Sequence, residues 1–516
     1  MNPEFPTASP VETVLFNLTQ VLPGSLSGLF SKRERFVSLF TRLNSDRLVV
    51  QLLSRMQDAY GSQAVWTRAL ADRSLLLLGA DVIKEVLEGS PDPYASDPKA
   101  KREGMGHFEP GALTLSRGED WRKRRQINEA VLATRERIHP LASGFLAIVR
   151  TEVDRMLAQA EGGLLEWRQW EELFEKITLQ VIFGEHARDD HALVAHLNAM
   201  MNEANRVVGL KKSEHFEPYY AKVNDYIGMA EPGSLVSLFK GTDADADTPL
   251  AAQVTHWMFA TKDTLAANAF RALAAIVAQP EIERRVRAEL AGANLGDPVA
   301  VDGLRYLEGC LEEAMRLWPT TTMFGRETVG QTRLAGVPVP EGTQILLVNT
   351  FNHRNRKYVP DAEFFRPERW VDGGPNYQFN HLSNGPQYCA GLYLVLLLGK
   401  AVLANVLAAR RISVDPMTPE SAAPAPEQSA SSGLAGQLRA VSAGLFAGGR
   451  ASPSKLDQLA REPDKTVPLV TELFQTMTAP LRGTDQDTAA QLHITQGHPM
   501  PYMLNFYALR FATAPL

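Results

Sequence analysis

The sequence predicts a mainly α protein with small β-sheets. Four segments carry apolar residues three and four positions apart, the pattern of a buried helix face: 152–160, 250–278, 281–291 and 304–317. Strand-like stretches are shorter: 65–69, 75–78, 332–339, 344–349 and 503–512. Helices and strands do not alternate regularly along the chain, which argues against a doubly wound sheet.

The composition is that of a globular protein. The chain has 516 residues, 45% hydrophobic and 22% charged, which supplies enough apolar material for a large core. A formal net charge of -6 argues against nucleic acid as the main partner. The two cysteines, Cys310 and Cys389, are too few for a disulfide framework and indicate a reducing compartment.

No apolar run predicts a transmembrane segment. The most apolar stretch, 392–398, is too short to span a bilayer. The N-terminus lacks the pattern of a signal peptide. Segment 11–43 has helix-like apolar spacing that we expect to break at Pro23 and Gly24. We therefore expect a soluble, cytoplasmic protein, with peripheral membrane contact through this segment left open.

One region differs in composition from the rest. Residues 415–433 are rich in Pro, Ala and Ser, and such a stretch buries too little apolar surface to order itself. Residues 434–492 carry only weak helical patterns. We predict that 415–495 is an insertion of unknown role in a single catalytic domain formed by 1–414 and 496–516.

The segment FNHLSNGPQYCAGLYLVLLLG, residues 379–399, carries the strongest chemical signal. A loop with Gly385 leads to Cys389, and Gly391 precedes an unbroken apolar helix. Glycine lets the backbone approach a flat cofactor, and a helix start or a metal lowers a thiol pKa. A helix that is apolar all round must be buried on every side, as beneath a cofactor.

This loop resembles that of the cytochrome P450 family, Phe-x-x-Gly-x-Arg-x-Cys-x-Gly. Gly385, Cys389 and Gly391 match, whereas Leu382 replaces the usual Phe and Gln387 the usual Arg. The resemblance implies an α-rich triangular prism with small β-sheets. It also implies heme b (iron protoporphyrin IX), with Cys389 as the axial ligand of the heme iron. Gln387 can hydrogen-bond a heme propionate but cannot neutralise it.

Two further motifs follow the family's order. Glu313-Ala-Met-Arg316 places an acid and a base on one helix face, where the residues alone indicate an ordinary ion pair. About fifty residues later comes Pro-Glu-Arg369-Trp, and about twenty residues after that comes the cysteine. By resemblance, Glu313, Arg316 and Arg369 form a buried charge network with a structural rather than a catalytic role.

The segment FATKDTLAANAF, 259–270, matches the family's distal helix. Asp263 and Thr264 match its acid–alcohol pair, which the resemblance makes catalytic. A carboxylate and a hydroxyl can relay protons through water when dioxygen is cleaved. Lys262 beside the acid is unusual. It could point away from the heme, or alter the proton route or the substrate choice.

Heme propionates are expected to meet three side chains. Trp121 and Arg125 are four residues apart and share a helix face, and Arg326 matches another propionate-binding arginine of the family. The neighbouring Arg122, Lys123 and Arg124 form either a docking patch for an acidic ferredoxin or an ordinary solvated face.

The resemblance implies a monooxygenase that inserts one oxygen atom from O2 into an apolar or fatty-acid-like small molecule. Electrons would come from NAD(P)H through separate ferredoxin and ferredoxin reductase chains. Substrate would be met by segments 106–115, 207–220, 258–265, 320–324 and 503–507. Two alternatives stay open: a peroxide-using heme-thiolate enzyme (a peroxygenase or peroxide isomerase), and a degenerate heme-binding protein.

Overall fold

The computed structural model describes residues 4–61, 63–160, 163–206, 212–245, 247–371, 376–415, 499–500 and 505–516. The helices in these ranges are α1 (Pro10–Phe16), α2 (Leu22–Leu26), α3 (Glu34–Leu43), α4 (Ser45–Tyr60), α5 (Ala80–Glu88), α6 (Lys99–Met105), α7 (Gly118–Val131), α8 (Ala142–Gln159), α9 (Trp167–Phe183), α10 (His191–Ala204), α11 (Phe216–Met229), α12 (Leu250–Phe259), α13 (Ala266–Val277), α14 (Pro280–Leu290), α15 (Pro298–Asp302), α16 (Arg305–Leu317), α17 (Asn349–Asn352) and α18 (Leu392–Ala409). The strands are β1 (Ala64–Ala69), β2 (Asp72–Leu77), β3 (Tyr94–Ala95), β4 (Leu164–Glu166), β5 (Met323–Thr328), β6 (Thr332–Leu334), β7 (Val337–Val339), β8 (Gln344–Val348), β9 (Arg410–Val414) and β10 (Arg510–Pro515). The predicted mainly α class with small sheets is confirmed.

The strands form three small sheets. The largest has the order β1-β2-β8-β5-β3, in which only β2 and β8 run parallel. A second sheet has the order β4-β10-β9, and β6 pairs with β7 alone. The single strand predicted over 332–339 is therefore a hairpin. It turns at Ala335 and Gly336, whose φ angles are 48° and 76°.

The chain returns to one sheet on either side of residues 416–498. Strand β10 pairs antiparallel with β9, and Asp415 N donates to the Arg510 carbonyl at 2.9 Å. The Arg510 guanidinium also pairs with the Asp415 carboxylate at 3.0 Å. The predicted insertion lies, Asp415 apart, outside the described residues. The strand predicted to begin at 503 was placed too early, because residues 506–508 form a 3-10 turn and β10 begins at Arg510.

Helix α18 is longer than its apolar run indicates. Its 18 residues have a mean hydropathy of 2.1, so by length and composition it could cross a membrane, but 67% of it is buried inside the protein. The prediction that this apolar stretch is too short to span a bilayer is wrong by length and composition, because the sequence showed the apolar run only as far as Leu398. Lys400 continues the helix through the core because its Nζ pairs with buried Glu308 Oε2 at 2.6 Å. The protein interior therefore accounts for the apolar surface of this helix.

The N-terminal segment packs on the body of the protein. Phe16 is fully buried in a cluster with Val49 and Leu53 of α4. The break expected at Pro23 and Gly24 is wrong, because the helical backbone continues through both residues to Leu26. A π-helical turn, Asn17–Val21, joins α1 to α2.

The core brings the cysteine helix against the helix that contains FATKDTL. Helices α12 and α13 are joined end to end by the π-helical turn Ala260–Leu265. At Gly399 of α18, an added Cβ would lie 3.1 Å from Leu265 Cδ1 and 2.6 Å from Leu311 Cδ2. This close approach packs α18 against both the π-helical turn and α16.

Candidate active site

Cys389 lies in the loop that enters α18. Its backbone N–H donates to the Leu382 carbonyl at 2.9 Å, and its own carbonyl accepts from Leu392 N at 3.2 Å. Burial raises the pKa of the Cys389 thiol, while a backbone hydrogen bond from Gly391 and the charge of Arg125 oppose that rise. A metal cation at the sulfur would favour the thiolate instead.

Two side chains fasten the peptide groups on either side of Cys389. Arg125 of α7 donates through Nη1 to the Tyr388 carbonyl at 2.7 Å, and its guanidinium lies 4.7 Å from the centroid of the Tyr388 ring. Thr134 Oγ1 donates to the Ala390 carbonyl at 2.6 Å. Sequence reasoning missed Thr134, which stands in no recognisable motif. These two bonds hold the backbone on both sides of Cys389 in place.

Two glycines frame the loop for different reasons. Gly385 has φ +69°, and an added Cβ would lie 2.0 Å from the Leu87 carbonyl oxygen of α5, so only glycine fits. At Gly391 the φ angle is −94° and the nearest atoms to an added Cβ are 3.9 Å away. Protein packing alone therefore does not require glycine at 391.

Basic and amide groups with unused hydrogen-bonding capacity surround the loop. Arg326 of β5 is buried; it donates to Ser90 Oγ at 3.1 Å and to the Gly325 carbonyl at 3.0 Å. Burial lowers its pKa to about 10, and no carboxylate opposes that shift. Arg125 Nη2 and Gln387 Oε1 are buried without a hydrogen-bond partner among the described residues.

The loop and α7 also place the other predicted side chains. Gln387 Nε2 donates to Ser96 Oγ at 3.2 Å. Lys101, missed by sequence reasoning, donates to the carbonyls of Ser96 and Thr114 at 3.2 and 3.1 Å. Burial and the charge of Arg326 lower the pKa of Lys101 to about 8. Lys101 is a third basic side chain in this region, beside Arg125 and Arg326. Trp121 is half-buried one turn before Arg125.

The predicted acid–alcohol pair lies in the π-helical turn between α12 and α13. Asp263 and Thr264 are partly accessible, whereas Lys262 and Leu265 on either side of them are buried. Lys262 Nζ lies 2.7 Å from Asp263 Oδ1, and Asp263 Oδ2 has no hydrogen-bond partner in the described part of the chain. Adjacent side chains do not face each other on an α-helix, so we attribute this pairing to the wider π turn.

The three residues expected to form a charge network are in direct contact. Arg316 donates to both Glu313 oxygens, at 2.8 Å from Nε and 2.7 Å from Nη2, and neither side chain is accessible to solvent. Arg369 Nε and Trp370 Nε1 add bonds to Glu313 at 3.0 and 2.8 Å. Burial alone raises the pKa of Glu313, but the charges and hydrogen bonds of Arg316 and Arg369 outweigh burial and lower it.

Arg316 also ties this network to the chain before the cysteine loop. It donates to the carbonyls of His353, Ala362 and Phe364, at 2.8, 2.5 and 3.1 Å. His353 Nε2 accepts from Asn380 N at 2.8 Å, nine residues before Cys389. The network thus holds the chain that carries the cysteine.

Residues 237–432 match the sequence model of the cytochrome P450 family. Probable cytochrome P450 4d20 of Drosophila melanogaster is 31% identical over 172 residues, covering 31% of this chain and 34% of that protein. Cytochrome P450 monooxygenase sphH of Aspergillus fumigatus is 30% identical over 207 residues, 37% of each chain. Cytochrome P450 4V2 of Homo sapiens is 30% identical over 164 residues, 30% of this chain and 31% of that protein.

Over residues 237–432 the chain belongs to the cytochrome P450 family. Its matches span about a third of the length of the curated relatives. The matched region holds the π-helical turn, the Glu313 network and the cysteine loop, so it contains most of the residues described above.

The residues of this P450 fit heme b, the cofactor of the family. Among the described residues, the buried positive charge of Arg326 has no carboxylate partner and Arg125 Nη2 has no acceptor, as an anionic propionate requires. Gly391 leaves space beside the cysteine that protein packing does not use. Gln387 offers an amide hydrogen bond but no positive charge.

The structure describes only part of the segments expected to meet substrate. Residues 207–211 and 503–504 are outside the described ranges. Of the apolar side chains proposed there, Met323 and Phe324 are partly accessible. Phe108 and Met258 are fully buried instead: Phe108 packs edge-on against Phe259 at 5.8 Å. Phe108 and Met258 therefore present no accessible surface to a substrate.

Proposed function

We propose that this P450 is a monooxygenase that inserts one oxygen atom from O2 into an apolar small-molecule substrate. The observation that carries the proposal is Cys389, fastened by Arg125 and Thr134 at the start of α18. The partly accessible acid–alcohol pair in the helix that packs on α18 supports it. One relative is itself named a monooxygenase.

In this proposal the loop residues hold the cofactor. Cys389 ligates the iron, Arg125, Arg326 and Trp121 bind the propionates, and Gln387 adds a neutral hydrogen bond. Bound heme supplies dioxygen activation, which electron donation from the thiolate favours. Gly385 lets the loop lie against α5, and Gly391 leaves room at the sulfur.

Asp263 and Thr264 then handle protons. Oδ2 of Asp263 has no hydrogen-bond partner among the described residues and can accept a proton from water and release it again. The Thr264 hydroxyl both donates and accepts, so its Oγ1 could receive that proton and pass it on. Lys262 holds the other oxygen of Asp263 and fixes the direction of the carboxylate. In this proposal Glu313, Arg316 and Arg369 have a structural role only.

Substrate and electron partners follow the family pattern. Partly accessible Phe259, Met323 and Phe324 favour an apolar or fatty-acid-like substrate. We propose that NAD(P)H reduces the protein through a separate ferredoxin reductase and ferredoxin. Arg122 and Lys123 are more than half exposed in α7, the helix that holds the cysteine loop, and their surface ion pairs with Glu119 and Asp245 are weak enough to exchange for an acidic partner. Arg124 is only 16% exposed and contributes little to such a patch.

Three further elements complete the proposal. The cell compartment is the cytoplasm, supported by two free cysteines. The catalytic domain comprises 1–414 and 496–516, supported by the pairing of β9 with β10. Residues 415–495 are an insertion whose role we do not assign.

The absorption spectrum of the reduced, carbon-monoxide-bound protein tests the proposal, with Cys389→Ser as the variant and Cys310→Ser as its matched control. A thiolate ligand gives a band at about 450 nm that only Cys389→Ser removes. Absence of heme, or a band at about 420 nm in fresh native protein, would contradict the proposal and favour a degenerate heme protein.

Turnover assays separate the two enzymatic readings. Product formed with NAD(P)H, ferredoxin and ferredoxin reductase supports the monooxygenase. Product formed with hydrogen peroxide but not with the electron-transfer chain would instead identify a peroxide-using enzyme. The partly accessible Asp263–Thr264 pair favours the first outcome, because peroxide supplies its own protons.

A further inference from the structure

A buried carboxylate faces a histidine on the same helix face as the acid–alcohol pair. Glu109, in the loop after α6, has no accessible surface, and both its oxygens lie near His256 Nδ1 of α12, at 3.1 and 3.2 Å. Thr114 Oγ1 donates to the same carboxylate at 3.4 Å. Neither residue belongs to the cysteine loop, the charge network or the proton-handling pair.

His256 points along the accessible face of the helix. Residues 251–255, 257 and 258 of α12 are buried, whereas His256 is 27% accessible. The next partly accessible positions are Phe259 and Ala260, followed by Asp263 and Thr264. Accessible positions thus recur every three to four residues from α12 into the π-helical turn, so His256 and the acid–alcohol pair share the accessible side of these two segments. His256 therefore lies about two turns before the proton-handling pair on the side that substrate would contact.

The loop that carries Glu109 is fixed in place. Gln253 of α12 is fully buried; it donates to the Gly111 carbonyl at 2.9 Å and accepts from Leu113 N at 2.8 Å. Asn128 of α7 also donates to Gln253, at 3.1 Å. Such support holds a recognition group within a fraction of an ångström, as a selective site requires.

The carboxylate leaves one ring nitrogen for a ligand. Nδ1 of His256 is engaged by Glu109, whereas Nε2 has no hydrogen-bond partner among the described residues. In the neutral imidazole Nε2 is an acceptor, and in the charged form it is a donor. A hydroxyl group pairs with both forms, whereas a carbonyl or ether oxygen pairs only with the charged one. Two apolar rings lie on the other side: the Phe259 ring lies 6.3 Å from His256 and packs on Phe108.

We propose that His256, oriented by Glu109, is a hydrogen-bonding subsite for a hydroxyl group on an otherwise apolar substrate. The subsite rests on the proposed function only in requiring that substrate occupy the accessible side of α12 and of the π-helical turn that bears Thr264. It makes His256 a specificity-determining residue and Glu109 its positioning residue. Lys101 lies within electrostatic range of Glu109 and helps to balance that buried charge.

Matched alcohols and methyl ethers test the subsite. Dodecan-1-ol, menthol and cholesterol are each compared with their methyl ethers, which keep the shape and the acceptor oxygen but lack the donor. Dissociation constants come from calorimetry, with the low-spin to high-spin absorbance change as a second readout. We expect at least one alcohol to bind about tenfold tighter than its ether, the worth of roughly one hydrogen bond.

Variants decide whether His256 causes that preference. His256→Phe should abolish the preference for the alcohol while leaving the affinity for the ether within about twofold. Glu109→Gln should weaken the preference for the alcohol. His256→Gln retains a hydrogen-bonding side chain and should restore part of it. His186 also pairs with a glutamate, Glu231, at 2.6 Å, but is 78% exposed elsewhere, so His186→Phe is the matched control and should change nothing.

Two results would overturn the subsite: no alcohol binds better than its ether in the native protein, or the preference survives His256→Phe. Calorimetry reports binding whatever the iron ligand is. A lost band at about 450 nm with an intact alcohol preference would therefore overturn the proposed function alone. An intact band without the preference would overturn the subsite alone.

Discussion

Replacing Arg316 by methionine should destabilise this P450 far more than an equivalent change on its surface. Arg316 and Glu313 are fully buried and joined by two hydrogen bonds, at 2.7 and 2.8 Å. Methionine fills much of the same volume but carries no charge. Glu313 would keep Arg369, Trp370 and the Arg366 N–H, so its charge would be only partly compensated.

The cost follows from the broken contacts. Removing one partner of a buried ion pair costs about 3–5 kcal/mol. Three carbonyls also lose their donor, but the remaining bonds to Glu313 offset part of that loss. We therefore expect about 4 kcal/mol. A chain of this length has an unfolding entropy of about 1 kcal/mol per kelvin, so Tm should fall by roughly 4 °C.

Thermal unfolding followed by far-UV circular dichroism measures the fall in Tm of Arg316→Met, with heme content recorded in parallel. The chain offers a matched control in α14, where Arg284 pairs with Glu281 at the same three-residue spacing and 2.6 Å, but both are about two-thirds exposed. Arg284→Met should cost about 0.5 kcal/mol or less. Equal Tm values for the two variants would refute the reasoning.

The effect should also depend on pH in a defined direction. The arginines lower the pKa of Glu313 in the folded protein. Its stabilisation is therefore fully present above the unfolded-state pKa of about 4.3 and is lost as pH falls through the lower folded-state value. The stability difference between native protein and Arg316→Met should thus narrow only in strong acid.

Three other substitutions give separate tests. Gly385→Ala should reduce heme content several-fold, because its Cβ would lie 2.0 Å from the Leu87 carbonyl oxygen. Gly342→Ala is the control: it has a similar φ of +73° with nothing within 4 Å and should retain heme. Equal heme contents in the two variants would contradict this prediction. Glu312 has its pKa raised to about 8, mainly by burial, so its contribution to stability is present below the unfolded-state pKa of about 4.3 and is lost as pH rises through about 8. The free energy of unfolding of Glu312→Gln, minus that of the native protein, should therefore be more positive at pH 9 than at pH 5 in denaturant titrations. If this difference between variant and native protein does not change with pH, the raised pKa is wrong. Lys262→Met should lower the product formed per NAD(P)H consumed several-fold, because the Asp263 carboxylate loses its partner at 2.7 Å. The carbon monoxide band should stay unchanged. An unchanged yield of product per NAD(P)H would show that Lys262 does not orient Asp263.

Local signals in the sequence predicted much of the architecture. Three-to-four spacing located the long segment 250–278, which the structure divides into α12, the π-helical turn and α13. Glu313 and Arg316 were placed on one face by their spacing, and the structure brings Arg369 to the same carboxylate. The role predicted for these residues, like that of Cys389, Asp263 and Thr264, remains a prediction for the experiments above.

Other features depended on contacts between distant segments. The apolar run after Cys389 did not reveal that Lys400 continues α18, because its buried partner Glu308 lies 92 residues earlier. The direction of Lys262 could not be read from an α-helical pattern, since the π turn changes which neighbours face each other. Thr134 and Ser90 carry no motif at all.

The sequence by itself determined which residues are chemically able to act: the cysteine, the acid–alcohol pair and the arginines. Such signals are local, set by residue type and by helix or loop spacing. Only the tertiary structure decided which polar groups lack partners and which pair across the core, as Glu109 does with His256 at a separation of 147 residues. The reason is physical: burial and hydrogen-bond satisfaction belong to the packed chain, because they depend on what the rest of the protein places beside each group.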